Sequence, residues 1–206
     1  MMMANVHPGS KCLVLDESRG LVSLAILERL GGEGLLTALH EQEQHLLDLI
    51  QYGRVDKSVF HPLCFKNTST PIDDKFNDRE FPDAESRERA LDRFNKRIQA
   101  LQLSQTTFLS TKYESLIICS FQYNPIDIIN HLIGSMAGSS NIVIYHPFKD
   151  PLLAAYFHCR KSNAFLDVQL TECLFRQYQP ICGKIHPEMQ TSGNSGFILS
   201  MVHVLQ

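Results

Sequence analysis

The stretch LVLDESRG, Leu13 to Gly20, has the apolar run and the turn with which a nucleotide-binding α/β domain begins. Chemistry at such a turn depends on glycines, because without a β-carbon the backbone N–H groups can approach a cofactor. Here a single glycine, Gly20, follows Asp16, Glu17, Ser18 and Arg19. The strand and helix of a nucleotide site are therefore expected, without the cradle between them.

Other residues could complete or replace such a site. Glu41 closes LLTALHE, where an acid at a strand end either binds ribose hydroxyls or simply faces solvent. The run LIICSFQYNP holds no acid between Cys119 and Pro125; its aromatics Phe121 and Tyr123 either stack a base or pack at a rim. No GxSxG elbow, Walker loop or HExxH pair occurs. His7, His61, His146 and His186 each precede a proline, a pairing that favours extended or turn backbone over catalysis. Of the six cysteines, most lie in apolar runs and none forms a CxxC pair. They read as reduced core thiols of an intracellular chain. A zinc group would have to be assembled from Cys173, Cys182 and His186 with His158 or Cys159, and no metal site is expected.

Charge is segregated in one segment. Lys66 to Leu103 carries 8 of the 19 basic and 8 of the 22 acidic residues. Asp73–Glu85 holds six acids against two bases, and Arg87–Arg97 five bases against two acids. PIDDKFNDREFPD should be loop or disorder. Beyond it, Ala90, Leu91, Phe94, Ile98 and Leu101 share a helical face, with Arg89, Arg93, Lys96 and Arg97 on the adjoining one. That basic stripe is either an RNA-binding surface or a solvated face that acidic neighbours neutralise.

These residues must be positioned by a chain of 206 residues, 44% hydrophobic and 20% charged, with a net charge of −3. Such a chain buries a real core and does not coat nucleic acid by bulk attraction. No apolar run approaches the roughly 20 residues that span a bilayer, so no membrane is expected. Nor does MMMANVHPGSK have the charged-then-apolar pattern of a signal peptide. Strands are predicted at Cys12–Leu15, Leu35–His40, Ser58–Phe60, Leu116–Ser120 and Asn141–Tyr145. Helices are predicted at Leu21–Leu30, Glu43–Tyr52, Ser86–Leu103, Ile126–Met136 and Pro151–Lys161. This alternation implies right-handed crossovers and a parallel sheet covered by helices on both faces. The end differs: Phe165–Leu170 and Gly196–Val204 read as strands, and Pro180–Ser195 between them offers no crossover helix, so the two should pair antiparallel. A mostly parallel, seven-stranded sheet finished by an antiparallel hairpin is the Rossmann-like class I methyltransferase layout. The expectation is one such α/β domain over residues 1–206, with a charged insertion at about 66–103. An S-adenosylmethionine site in this layout needs an open first turn, an acid after the second strand and a polar or acidic residue after the fourth. Glu41 fits the second requirement; DESRG fails the first and QYNP leaves the third unmet.

Three segments carry a family resemblance: ANVHPGSKCLVLDESRGLVSLAILERLGGEG, then YNPIDIINHLIGSM with NIVIYHPFKDPLL, and above all LTECLFRQYQ with IHPEMQTSGNSGFILS. Together they resemble the non-catalytic subunit of the eukaryotic tRNA (adenine-58-N1)-methyltransferase over nearly the whole chain, least at Phe60–Leu103. The C-terminal block is the most specific, with Thr171–Glu172, Arg176, Tyr178–Gln179, His186–Pro187, Met189, Ser192–Gly193 and Gly196. Asn194–Ser195 departs from it, where glycines are more usual. That subunit also has an N-terminal β-domain, which this sequence does not contain, so a shortened version is expected.

The resemblance implies a catalytically inactive paralogue that binds no cofactor. It would pair in a nuclear heterotetramer with a catalytic subunit, which carries the S-adenosylmethionine, and grip tRNA. The residues expected to bind RNA are the stripe read from the charge pattern, Arg89, Arg93, Lys96 and Arg97, with Arg176 of the C-terminal block. The last strands, Phe165–Thr171 and Gly196–Val202, would meet the partner through Phe165, Val168, Leu170, Phe197 and Leu199. Two alternatives stay open. One is a divergent but active S-adenosylmethionine-dependent RNA methyltransferase; the other is a scaffold that touches no RNA.

Overall fold

The computed structural model describes residues 1–41, 48–72, 84–188 and 193–204. The acidic run at 73–83, which by sequence reads as loop or disorder, lies outside them. The chain divides into two compact units, Val6–Tyr113 and Met1–Asn5 with Glu114–Gln206. The main strands are mostly parallel, three in the first unit and four in the second.

In the first unit, β1 (Lys11–Asp16), β2 (Leu35–His40) and β3 (Phe60–Cys64) run parallel in the order β3-β2-β1. Leu13 sits opposite Thr37, and Ala38 opposite Pro62. Cys12 to Leu15 are wholly buried, as are Leu36, Ala38 and Leu39, which is why these runs are continuous rather than alternating. Each such leucine contributes about 2 kcal/mol through burial. Between β1 and β2, α1 (Leu21–Leu30) ends where Gly31, in the left-handed region, returns its N–H to the Leu27 carbonyl at 3.1 Å. Gly34 (φ 108°) then passes so close to Ser10 that a β-carbon would stand 2.5 Å from its carbonyl oxygen. Beyond β2 lie α2 (Asp48–Tyr52) and, after a 3₁₀ turn at Phe65–Thr68, α3 (Ala84–Ser110). The Tyr113 hydroxyl meets Thr37 Oγ1 at 2.7 Å inside this core, and burial pushes the phenol pKa up to about 12.

Several boundaries differ from the sequence prediction: the helix expected at Ile126–Met136 ends at Leu132, the strand expected at Asn141–Tyr145 spans Met136–His146, and the strand from Phe165 runs to Leu174 instead of Leu170. The third strand is Phe60–Cys64 instead of Ser58–Phe60, so His61–Pro62 belongs to a strand and not a loop. As the last strand of its sheet, β3 has an open side on which the missing Pro62 N–H costs no ladder bond. The basic helix runs seven residues past Leu103, because Ser104 and Phe108 are buried and Phe108 packs on Tyr113 with ring centroids 6.1 Å apart.

In the second unit, β4 (Tyr113–Cys119) leads to α4 (Pro125–Leu132), β5 (Met136–His146) and α5 (Lys149–Lys161). Asn124 caps α4 by accepting from the Ile126 N–H at 3.1 Å, with Pro125 in the first turn. The strand order is β4-β5-β9-β6, with β6 (Phe165–Leu174) at the edge and β9 (Asn194–His203) antiparallel to both neighbours. The antiparallel ending expected from sequence is therefore present. Within the turn-rich segment lies a separate hairpin, β7 (Tyr178–Ile181) with β8 (Lys184–Pro187), that the sequence pattern does not announce. It turns at Cys182–Gly183, where Gly183 has φ 75°. His146 and His186, like His61, are strand residues despite their prolines.

Candidate functional site

In a fold of this type the functional turn is the one between β1 and α1, and here the chain fills it with its own carboxylate. Asp16, 3% exposed, turns back over the end of β1. Its Oδ1 accepts from the Ser18 N–H (2.8 Å) and hydroxyl (2.5 Å), and its Oδ2 from the Ser23 N–H (2.9 Å) and hydroxyl (2.6 Å). The first helical N–H groups are those a bound anion would take. The first three are spent internally: Leu21 on the Ser18 carbonyl, Val22 on Ser18 Oγ and Ser23 on Asp16. The turn closes through two successive left-handed residues, Arg19 (φ 58°) and Gly20 (φ 92°). By sequence, Asp16 is only one of the four residues that stand in the turn ahead of its single glycine. The structure gives it a further part, as the anion that already occupies the helix N-terminus.

The other two cofactor requirements fare differently. Glu41 follows β2 directly, half-buried, with its backbone carbonyl accepting from Cys64 Sγ at 3.4 Å. After β4, Asn124 is engaged as a helix cap and Phe121 is 49% exposed. Phe121 meets the rings of Tyr145 and His146 edge-on at 6.4 and 6.0 Å, and His146 adjoins Phe148 at 5.8 Å. Tyr145 donates its hydroxyl to the Ser195 carbonyl at 3.0 Å, and burial raises its pKa. Phe121 thus packs at a rim, with its other side open. Tyr123 is half-buried beside it in sequence. The partners Tyr145, His146 and Phe148 carry only one signal in the sequence, the aromatic spacing in NIVIYHPF.

The thiols behave as core residues for the most part. Cys12, Cys64, Cys119 and Cys159 are buried, Cys173 is half-buried and Cys182 exposed, and none of them is in a disulfide. Burial raises the Cys159 pKa to about 11. Among the described residues no group of three or more His, Cys, Asp or Glu is placed to hold a metal ion.

The basic stripe lies along α3 as spaced. Arg89, Arg93, Lys96 and Arg97 are all exposed, but Arg89 pairs with Glu85 and Lys96 with Asp92 (2.8 Å), one turn away in each case. Those pairs are solvent-exposed and weak, so they reduce the stripe's field without fixing it. Arg176 is exposed in the link between β6 and β7. Of the five residues assigned to a partner surface, Phe165, Val168 and Leu170 on β6 and Phe197 on β9 are half-buried. Leu199 is fully buried between Ile144 of β5 and Leu170 of β6, and so serves the chain's own core. Exposed apolar side chains instead cluster further along the chain, at Leu174, Phe175, Tyr178, Ile181 and Ile185.

A Rossmann-like arrangement with an antiparallel ending is the methyltransferase-like fold. The chain belongs to the Gcd10p family, which its residues 1–114 match. It is 31% identical, over 96% of its length, to the tRNA (adenine(58)-N(1))-methyltransferase non-catalytic subunit TRM6 of Eremothecium gossypii, covering 47% of that protein. The chain spans about half the length of the curated relatives it matches. Among solved structures it resembles a SAM-dependent O-methyltransferase from Thermotoga maritima (TM-score 0.67, 13% identity, all of this chain and 63% of that one). It also resembles the tRNA (m1A58) methyltransferase TrmI from Aquifex aeolicus (TM-score 0.66, 12% identity, all of this chain and 66% of that one). These two likenesses bear on the fold.

Proposed function

We propose that the chain is part of a non-catalytic subunit of a tRNA (adenine-58-N1)-methyltransferase, holding a catalytic subunit and contributing to tRNA binding. The observation that carries this reading is the closed turn: Asp16 and Ser18 take the three N–H groups that a cofactor would need. The fold was kept while its cofactor end was converted into internal structure. The names of the relatives support the same reading. In this proposal the S-adenosylmethionine sits in the catalytic partner, and the exposed edge of β6 is the surface that meets it. An uncovered apolar edge strand invites non-specific pairing, so a partner there has a physical purpose. A heterotetramer in the nucleus is the setting that the resemblance favours.

The test is affinity purification of the tagged chain from cells, followed by mass spectrometry and imaging of its location. A catalytic tRNA methyltransferase subunit recovered in equal amount with the chain supports the proposal. Recovery of the chain alone, or of a partner unrelated to tRNA methylation, would overturn it.

A further inference from the structure

Within the first unit, α3 packs against β3, and beside β2 they leave a cavity of about 590 Å³. Sites for small ligands typically enclose about 300–1,000 Å³, with mostly apolar walls and a few polar groups. This one fits: Phe60, Pro62, Leu101 and Leu103 are joined by His40, His61 and Arg97. A second cavity of about 350 Å³ shares Arg97 and Leu101 and adds Lys66. Among the described residues lining the two, none is Asp or Glu, although the chain has more acids than bases. No residue of the closed turn lines either cavity. Burial holds the His61 pKa below its ordinary value, so it enters as a neutral ring able to donate one hydrogen bond and accept another. The positive charge comes from Arg97 and Lys66. Apolar walls beside cationic groups, with no carboxylate among the described lining residues, suit an anionic ligand that carries an apolar face. Arg93 and Arg89 precede Arg97 by four and eight residues, steps of about 6 Å along the helix axis. That spacing is on the scale of neighbouring phosphates in one strand.

We propose that this cleft receives one unstacked nucleotide of an RNA strand. The base lies against Phe60, Pro62 and Leu101, a phosphate meets Arg97, and the strand continues along Arg93 and Arg89. This rests on the reading that the chain contributes to tRNA binding. Sequence-tolerant recognition of an extruded base by apolar or aromatic surface, with cations along the backbone, is an established mode.

The experiment titrates the full chain with an unmodified tRNA transcript and, separately, with adenosine monophosphate. It compares Arg97→Gln and Leu103→Glu with Leu109→Glu. Leu103 and Leu109 are both exposed on α3, so neither change threatens folding, and the two alter charge equally. Arg97→Gln, which removes the phosphate contact, and Leu103→Glu, which puts a charge in the cleft wall, should each weaken tRNA binding about tenfold, on the scale of one nucleotide's contacts. Leu109→Glu should change it by no more than about twofold, as an unspecific charge effect. Photo-crosslinks from 4-thiouridine-labelled tRNA should map to Phe60–Pro62. If wild type binds tRNA but the cleft variants behave like Leu109→Glu, the cleft proposal fails and the RNA reading survives. If Arg97→Gln abolishes adenosine monophosphate binding and leaves tRNA affinity intact, the cleft is a free-nucleotide site and the proposal is wrong. A wild-type chain with no affinity for tRNA overturns both.

Discussion

The carboxylate of Asp16 holds Ser23 twice, accepting from its backbone N–H at 2.9 Å and from its hydroxyl at 2.6 Å. A residue at the end of β1 thereby caps α1 from seven positions upstream. The bond is structural in effect: it ties a strand to the helix that follows it and turns the Ser23 donors inward. Asp16→Ala should cost about 3 kcal/mol, one cap plus the desolvation of donors left without a partner. Ser23→Ala should cost about 1 kcal/mol, and the double variant should fall short of the sum by about the same amount. Urea unfolding measures all three. Additive losses would show that the two side chains do not act together.

Closure of the turn also predicts a blank titration. Calorimetry of the purified chain with S-adenosylmethionine should give no saturable heat. Glu17→Gly with Ser18→Gly should not create binding, because Asp16 and Ser23 would still occupy the helix N-terminus. A stoichiometric, micromolar signal in the wild-type chain that Glu41→Ala abolishes would establish a divergent active enzyme instead.

The stripe on α3 makes a salt-dependence prediction. Changing Arg89, Arg93, Lys96 and Arg97 together to Glu should weaken tRNA binding by the assembled complex. For every phosphate no longer neutralised, the log–log salt slope should flatten by roughly 0.9 in duplex regions and about 0.7 in single strands. Since Glu85 and Asp92 already pair with two of these cations, Glu85→Gln with Asp92→Asn should strengthen binding modestly. A quadruple variant with unchanged affinity and slope would make α3 an ordinary solvated face.

The edge of the sheet separates partner binding from stability. Val168→Glu with Leu170→Glu on β6 should reduce recovery of the catalytic partner at least about tenfold while shifting Tm only slightly, as expected of half-exposed positions. Leu199→Ala should do the reverse. Its cavity should cost about 3 kcal/mol, or roughly 6–12 °C in Tm for a chain of this size, without a specific effect on the partner. Equal loss of partner from both variants would remove β6 as the binding edge.

The parts of this fold legible in the sequence are those built from continuous apolar runs. Leu21–Leu30 and Leu35–His40 are delimited to the residue because a buried strand and an amphipathic helix differ in period as well as length. Phe60–Cys64 is hidden by His61–Pro62, since local backbone preference says nothing about which strand will have an unpaired side. The β7–β8 hairpin is hidden for the opposite reason: its apolar residues are exposed, so no face alternates. At the candidate site the lack of glycines in DESRG is plain, whereas the part Asp16 plays is not. It depends on where Ser23 arrives after a left-handed turn, and no spacing rule announces that. The cleft beside α3 needs the packing of three elements and has no linear signature.

The β7–β8 hairpin also bears on how much of the protein a cell holds. Tyr178, Ile181 and Ile185 face outward on it, with Ile185 74% exposed, and Leu174 and Phe175 stand open just before it. Such a surface is what chaperones and degradation machinery recognise on an unfolded chain, although this one is folded. If a partner covers the hairpin in the cell, chain made in excess of that partner is expected to be removed. Steady-state abundance would then follow the binding partner's supply and not the rate at which this chain is synthesised.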